Sequence, residues 1–132
     1  MYRTHTVSVG IAVDPARVYA YASEPANIPT WAPGFVKSIA RQEDHWIAQT
    51  ALGEARISFA AANAFGVLDH EVVLPTGTFH NSMRVIPNGA GSEVLFTVIQ
   101  MPGISDQQFD TDLDTVRADL NKLRTVLEHQ FS

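Results

Sequence analysis

The chain has 132 residues, 45% of them hydrophobic and 17% charged, which is typical of one globular domain with its own core. The formal net charge of −5 argues against binding to nucleic acid, and the absence of cysteine excludes disulfides, thiolate metal sites and a cysteine nucleophile. Without a signal-like region or an apolar run of membrane-spanning length, we expect a cytoplasmic, non-inserting single domain over residues 1–132.

The chain opens with apolar residues that alternate with small or polar ones over residues 7–13, which predicts a half-buried strand. Asp14 and Pro15 follow as an N-cap and a proline at the first helical position, so a short helix is expected over 16–22. Three further prolines leave room only for a second short helical piece over 28–31.

The middle of the chain reads as strands separated by tight turns, and neighbours this close in sequence should pair antiparallel. The predicted strands are 35–43, 45–52, 54–62, 67–74, 78–87 and 92–101. The turns that join the last five fall at 52–53, 63–66, 76–77 and 88–91.

These turns set a register in which the apolar side chains share one face of the sheet. The predicted cross-strand pairs include Trp46–Phe59, Phe59–His70, Leu74–Phe79 and Val85–Val94. Charged residues fall on the opposite face, where Asp69 and Arg84 are predicted neighbours in an exposed ion pair. A slip of two residues would keep the faces, whereas a slip of one would exchange them.

The last stretch, 105–131, predicts one long helix. Its apolar residues recur at spacings of four and three: Phe109, Leu113, Val116, Leu120, Leu123 and Leu127. Ser105 and Gln108 form a capping-box pattern at its start. About 26 residues at 1.5 Å each span roughly 39 Å, so this helix must lie across a broad sheet.

This order of elements resembles the helix-grip fold of the START-like, polyketide cyclase/dehydrase superfamily (SRPBCC). The segment from Val9 to Tyr21 resembles the opening of that family, in which a strand ends at a proline-initiated helix with an early aromatic residue. The segments 27–31 and 33–36 resemble the part that follows, where a tryptophan precedes the second strand.

The resemblance implies an α+β fold in which a curved antiparallel sheet of about seven strands (β-α-α-β6-α) wraps around the C-terminal helix, with an apolar cavity between them. Members of the superfamily bind lipids, hormones, polyketides or other hydrophobic molecules, and a minority catalyse cyclisation or dehydration. The superfamily offers no universal catalytic motif to carry over, so the resemblance leaves the chemistry open.

Four polar residues fall on the predicted inner face: Thr50, His70, Asn81 and Gln100. Polar groups on an apolar face must bond to protein, water or ligand. We predict that His70 and Asn81 orient a ligand carbonyl or hydroxyl, and a neutral imidazole is also suited to act as a general base. The alternative is a satisfied core histidine beside a water-bound asparagine.

Large apolar residues on the same face and on the helix are predicted to line the cavity, although a filled core would contain the same set. The predicted lining is Trp31, Phe35, Trp46, Phe59, Met83, Phe96, Leu113, Val116 and Leu120. No metal or other cofactor is expected, because the histidines lack ligand spacing and the aspartates of 106–114 fit a solvated helix start.

Three functions follow from these patterns. The leading one is binding of a small hydrophobic ligand of lipid, polyketide or aromatic type. The second is a cyclase or dehydratase that uses His70 as acid/base, with Asn81 holding an oxyanion. The third is an interaction protein with a filled or vestigial cavity, in which Leu95, Thr97 and Ile99 on the outer face form a homodimer contact.

Overall fold

The computed structural model describes residues 1–132, and its elements follow the predicted order. The strands are β1 (Thr4–Ile11), β2 (Val36–Gln42), β3 (His45–Thr50), β4 (Gly53–Phe59), β5 (His70–Leu74), β6 (Gly77–Asn88) and β7 (Gly91–Ile99). The helices are α1 (Pro15–Ala22), α2 (Ile28–Trp31) and α3 (Asp106–Gln130), with a 3₁₀ turn over Pro25–Asn27.

The seven strands form one antiparallel sheet in the order β1-β7-β6-β5-β4-β3-β2. The first strand therefore pairs with the last along its whole length, and the other five strands follow as a meander. Helix α3 packs against β1, β7 and α2. The predicted α+β helix-grip architecture is confirmed, and no helix is long and apolar enough to cross a membrane.

The helix ends form as their sequences predict. The Asp14 carboxylate accepts a hydrogen bond from the Arg17 N–H at 3.2 Å, and Ser105 Oγ accepts one from the Gln108 N–H at 3.0 Å. Five of the six apolar residues along α3 are buried, each at 5% exposure or less: Phe109, Leu113, Leu120, Leu123 and Leu127. The sixth, Val116, is only half-buried, and it borders the cavity described below.

Two predicted registers are confirmed and two are wrong by two residues. Phe59 faces His70 and Val85 faces Val94 as predicted, whereas Trp46 faces Ile57 and Leu74 faces Gly77. In both displaced hairpins the glycine is the fourth residue of the turn, a position that type I turns favour for glycine, rather than the third. Because the slip is even, the apolar face stays inside.

The β4–β5 connection is longer than predicted, and Asn63 organises it. The Asn63 Oδ1 accepts from the N–H groups of Phe65 and Val67 at 3.0 Å each, while its Nδ2 donates to the carbonyls of Ala61 and Val67. These bonds offer the backbone a compact alternative to a sheet ladder. The predicted strands 54–62 and 67–74 are therefore each shorter by three residues on this side.

Candidate functional site

A cavity of about 490 Å³ lies between the sheet and helices α2 and α3. Hydrophobic residues make up 18 of the 25 that line it, and they come mainly from β4 to β7 and from the two helices. The volume falls in the range of small-molecule sites. A second pocket of about 220 Å³ beside β1 and α3 has only three hydrophobic residues among eight, so it suits an apolar ligand less well.

Eight of the eleven predicted site residues line the larger cavity: Trp31, Phe35, Phe59, His70, Asn81, Phe96, Val116 and Leu120. The other three lie outside it. Met83 and Leu113 are buried in the core at 0% and 5% exposure, and Trp46 sits half-exposed at the start of β3, beside the β2–β3 turn. The prediction that these three residues line the cavity is therefore wrong.

Trp31 contributes apolar surface to the cavity rather than a hydrogen bond. It is 4% exposed at the end of α2, and its indole Nε1 is buried without a hydrogen-bond partner. An unpaired buried donor costs free energy, about 1–3 kcal/mol in typical cases, which the packing of the large ring must offset.

His70 is held in a single neutral tautomer by its two neighbours. Its Nδ1 lies 3.0 Å from the Leu68 carbonyl oxygen, and its Nε2 lies 3.3 Å from Asn81 Nδ2. Because a carbonyl only accepts and an amide NH₂ only donates, Nδ1 carries the proton and Nε2 accepts. Burial lowers the pKa of His70, against the opposing effects of the Leu68 carbonyl and the Asp69 charge, so the ring favours the neutral form.

Two aromatic rings enclose His70 on the cavity side. Its ring centroid lies 5.0 Å from that of Phe59 and 5.8 Å from that of Phe96, the latter close to edge-on. The amide of Asn81 donates one N–H to His70, and its Oδ1 accepts no hydrogen bond from the protein. The polar group that this pair leaves free for a ligand is therefore the amide of Asn81.

The other two polar residues of the predicted inner face, Thr50 and Gln100, bond to the protein itself. Thr50 Oγ1 donates to the Gly53 carbonyl at 2.8 Å within the β3–β4 turn. Gln100 Nε2 donates to the Ile104 carbonyl at 2.8 Å and to Asp106 Oδ1 at 2.9 Å, which ties β7 to the start of α3. Neither lines the cavity.

Asp69 and Arg84 form the predicted ion pair on the outer face, with Arg84 Nη2 and Asp69 Oδ2 3.2 Å apart. The side chains are 37% and 50% exposed, respectively, which agrees with a surface role. Asp69 Oδ1 also accepts from the Met83 N–H at 2.9 Å. Burial alone would raise the pKa of Asp69, but the Met83 N–H and the Arg84 guanidinium outweigh it and hold that pKa below its usual value.

Asp119 is the site residue that sequence reasoning missed. It is 8% exposed on α3, lines the cavity, and accepts a hydrogen bond through Oδ1 from the Gly34 N–H at 3.3 Å. Burial raises the pKa of Asp119 to about 6, with the Gly34 bond acting in the opposite direction. A signal was present, since residue 119 lies three after Val116 and four before Leu123, within the apolar stripe.

The cavity reaches the surface beside a group of exposed apolar side chains. Tyr2, Leu52, Ile99 and Met101 line it while remaining 54%, 66%, 41% and 39% exposed, respectively. They come from the N-terminal segment, the β3–β4 turn, the end of β7 and the β7–α3 connection. We call these four residues the apolar rim.

The comparisons with known proteins agree with this geometry. The family described as "polyketide cyclase / dehydrase and lipid transport" matches residues 3–128. A search of the curated proteins gave no match.

Many solved structures share the fold of the chain, among them the following three. XoxI from Bacillus cereus has a TM-score of 0.73 at 15% identity, covering 93% of this chain and 94% of its own. Ara h 8.0201 has a TM-score of 0.71 at 11% identity, covering 96% and 97%, respectively. A START superfamily protein from Mycobacterium smegmatis has a TM-score of 0.68 at 14% identity, covering 96% and 98%. The predicted START-like resemblance is confirmed.

Proposed function

Because this chain belongs to the polyketide cyclase / dehydrase and lipid transport family, we propose that it binds a small hydrophobic molecule between the sheet and α3. The observation that carries the proposal is the cavity of about 490 Å³ with 18 hydrophobic residues in its lining. Burial of a ligand there supplies about 0.8 kcal/mol for each methylene removed from water, before the costs of binding are subtracted.

The apolar rim supports the same proposal. Exposed apolar residues that also line a cavity give a hydrophobic molecule a continuous path out of water. Within the cavity we assign orientation of the ligand to the Asn81 amide, which His70 holds in place through the 3.3 Å hydrogen bond. His70 is thus a positioning residue in this proposal.

We propose binding rather than catalysis for a reason that concerns His70. A general base needs a free lone pair within reach of the substrate, and the Nε2 lone pair of His70 already accepts from Asn81. A cyclase or dehydratase that relied on His70 would first have to break this bond. The third alternative, a filled or vestigial cavity, does not agree with the open volume.

The test is a titration with N-phenylnaphthylamine, a neutral hydrophobic probe whose fluorescence rises in apolar surroundings. We expect saturable binding by the wild type and a strong loss in Val116→Trp, because the larger ring occupies the cavity. Val73→Trp is the matched control, since Val73 lies on β5 at 38% exposure between the inward Val72 and Leu74. Equal binding by both variants would contradict the proposal.

A further inference from the structure

We propose that the cavity selects hydrophobic molecules that carry a positively charged amine, and that Asp119 is the residue that pairs with it. This inference deepens the proposed function and rests on it. It starts from a carboxylate that the protein buries in an apolar cavity without giving it a cation.

The position of Asp119 is set by the close approach of α3 to the segment that follows α2. Gly34 follows α2, and a Cβ added there would lie 3.0 Å from Thr115 Cγ2 and 3.1 Å from Asp119 Oδ1. The absence of a side chain at residue 34 lets its N–H reach Oδ1 at 3.3 Å. The second carboxylate oxygen, Oδ2, accepts no hydrogen bond from the protein and is not among the fully buried unpaired atoms. It is therefore the oxygen available to a ligand.

The hydrogen bond to Gly34 does not account for the charge of Asp119. One backbone N–H needs only one acceptor, which an asparagine carbonyl would provide without a buried charge. Burying a carboxylate without a cation is costly, and proteins usually pair such groups. The chain therefore leaves the Asp119 carboxylate to be paired by a cation that is not part of the protein.

The charges around the cavity favour a cationic ligand over an anionic one. No lysine or arginine lines it, and the other titratable side chains in its lining are Tyr2, His70, His80 and Asp112. His70 favours its neutral form, and His80 is exposed and lies 3.4 Å from Glu71. An anionic head group would meet two aspartates and no strong cation, whereas an ammonium group would meet a matching charge.

The titration of Asp119 agrees with this assignment. Burial raises its pKa to about 6, so the carboxylate is still ionised at neutral pH but lacks the solvation that it would have in water. A bound ammonium group would relieve that cost and lower the pKa. Amine binding should therefore weaken as the pH falls through about 6 in the wild type.

The experiment compares dodecylamine, dodecanol and dodecanoate, which share one alkyl chain and differ in head group. Each displaces N-phenylnaphthylamine from the wild type at neutral pH, below the concentration at which it forms micelles. We expect the amine to bind about tenfold or more tightly than the alcohol, and dodecanoate to bind most weakly.

Two variants separate the role of Asp119 from general electrostatics. Asp119→Asn keeps an acceptor for the Gly34 N–H but removes the charge, so the amine should lose its advantage over the alcohol. Asp114→Asn makes the same change on the same helix at a side chain that is 79% exposed, and the amine should keep its advantage there. In Asp119→Asn the weakening of amine binding as the pH falls through about 6 should also disappear.

Each outcome decides one of the two proposals. Failure of the neutral probe and of dodecanol to bind would overturn the proposed function itself. Binding of both, with the amine no tighter than the alcohol, would overturn only the amine assignment. Equal losses of amine binding in Asp119→Asn and Asp114→Asn would also overturn it, because the preference would then come from the net charge of the chain.

Discussion

Replacement of Asp119 by asparagine should stabilise the protein at neutral and alkaline pH and have little effect in acid. The folded pKa of Asp119 is about 6, against an ordinary value of 3.8. A group whose folded pKa is raised adds stability below its unfolded pKa and loses that contribution as the pH rises through the folded one. Raising the pKa from 3.8 to about 6 corresponds to at most about 3 kcal/mol, at about 1.4 kcal/mol for each tenfold change in proton affinity, and solvent that reaches the carboxylate reduces this figure.

Urea unfolding of both proteins across pH gives this quantity as a difference. Between about pH 4.5 and 8, the free energy of unfolding of Asp119→Asn should rise relative to the wild type by up to about 2 kcal/mol, the part of the effect that falls in that window. Taking the difference removes the contributions of all other titrating groups. Asp114→Asn serves as the surface control and should show no such trend. A pH-independent difference between Asp119→Asn and the wild type would refute the reasoning.

Three further predictions concern packing, the histidine and the surface pair. Gly34→Ala should cost about 1–3 kcal/mol in urea unfolding, because its Cβ would lie 3.0 Å from Thr115 Cγ2, and adding Thr115→Ser should recover part of that loss. Nitrogen NMR shifts of His70 at neutral pH should show the Nδ1–H tautomer, and an Nε2–H ring would contradict the assignment. Arg84→Ala should lower the free energy of unfolding by less than about 1 kcal/mol. Asp69→Ala should lower it by more, because it also leaves the Met83 N–H without its acceptor. Equal losses in the two variants would count against this difference.

The order of the elements was predictable because each is specified locally. The alternation over 7–13, the Asp14–Pro15 helix start and the six-residue stripe of α3 each require only neighbours in sequence. The registers of β3–β4 and β5–β6 were not predicted correctly, although for β5–β6 the sequence contained a signal. Pro75 precedes Gly77 by two residues, and a type I turn favours proline at its second position and glycine at its fourth.

The lining of the cavity depends on distances that a pattern does not contain. Met83 and Leu113 lie on the predicted inward faces, but both are buried in the core cluster and do not line the cavity. Val116 and Phe96 also lie on the predicted inward faces, but at positions where the cavity separates the sheet from α3. Asp119 was overlooked because an acidic residue on a helix is usually solvated, and only its position within the stripe marks it as buried.

The most direct test of the central claim is an isotope-filtered NOE spectrum of the labelled protein with dodecanol. A neutral alcohol keeps this test independent of the assignment of Asp119. We expect contacts from the alkyl methylenes to the side chains of Phe59, Phe96 and Val116, which line the cavity. Contacts only to outward residues such as Val73 and Ile86, or none at saturating ligand, would contradict binding between the sheet and α3.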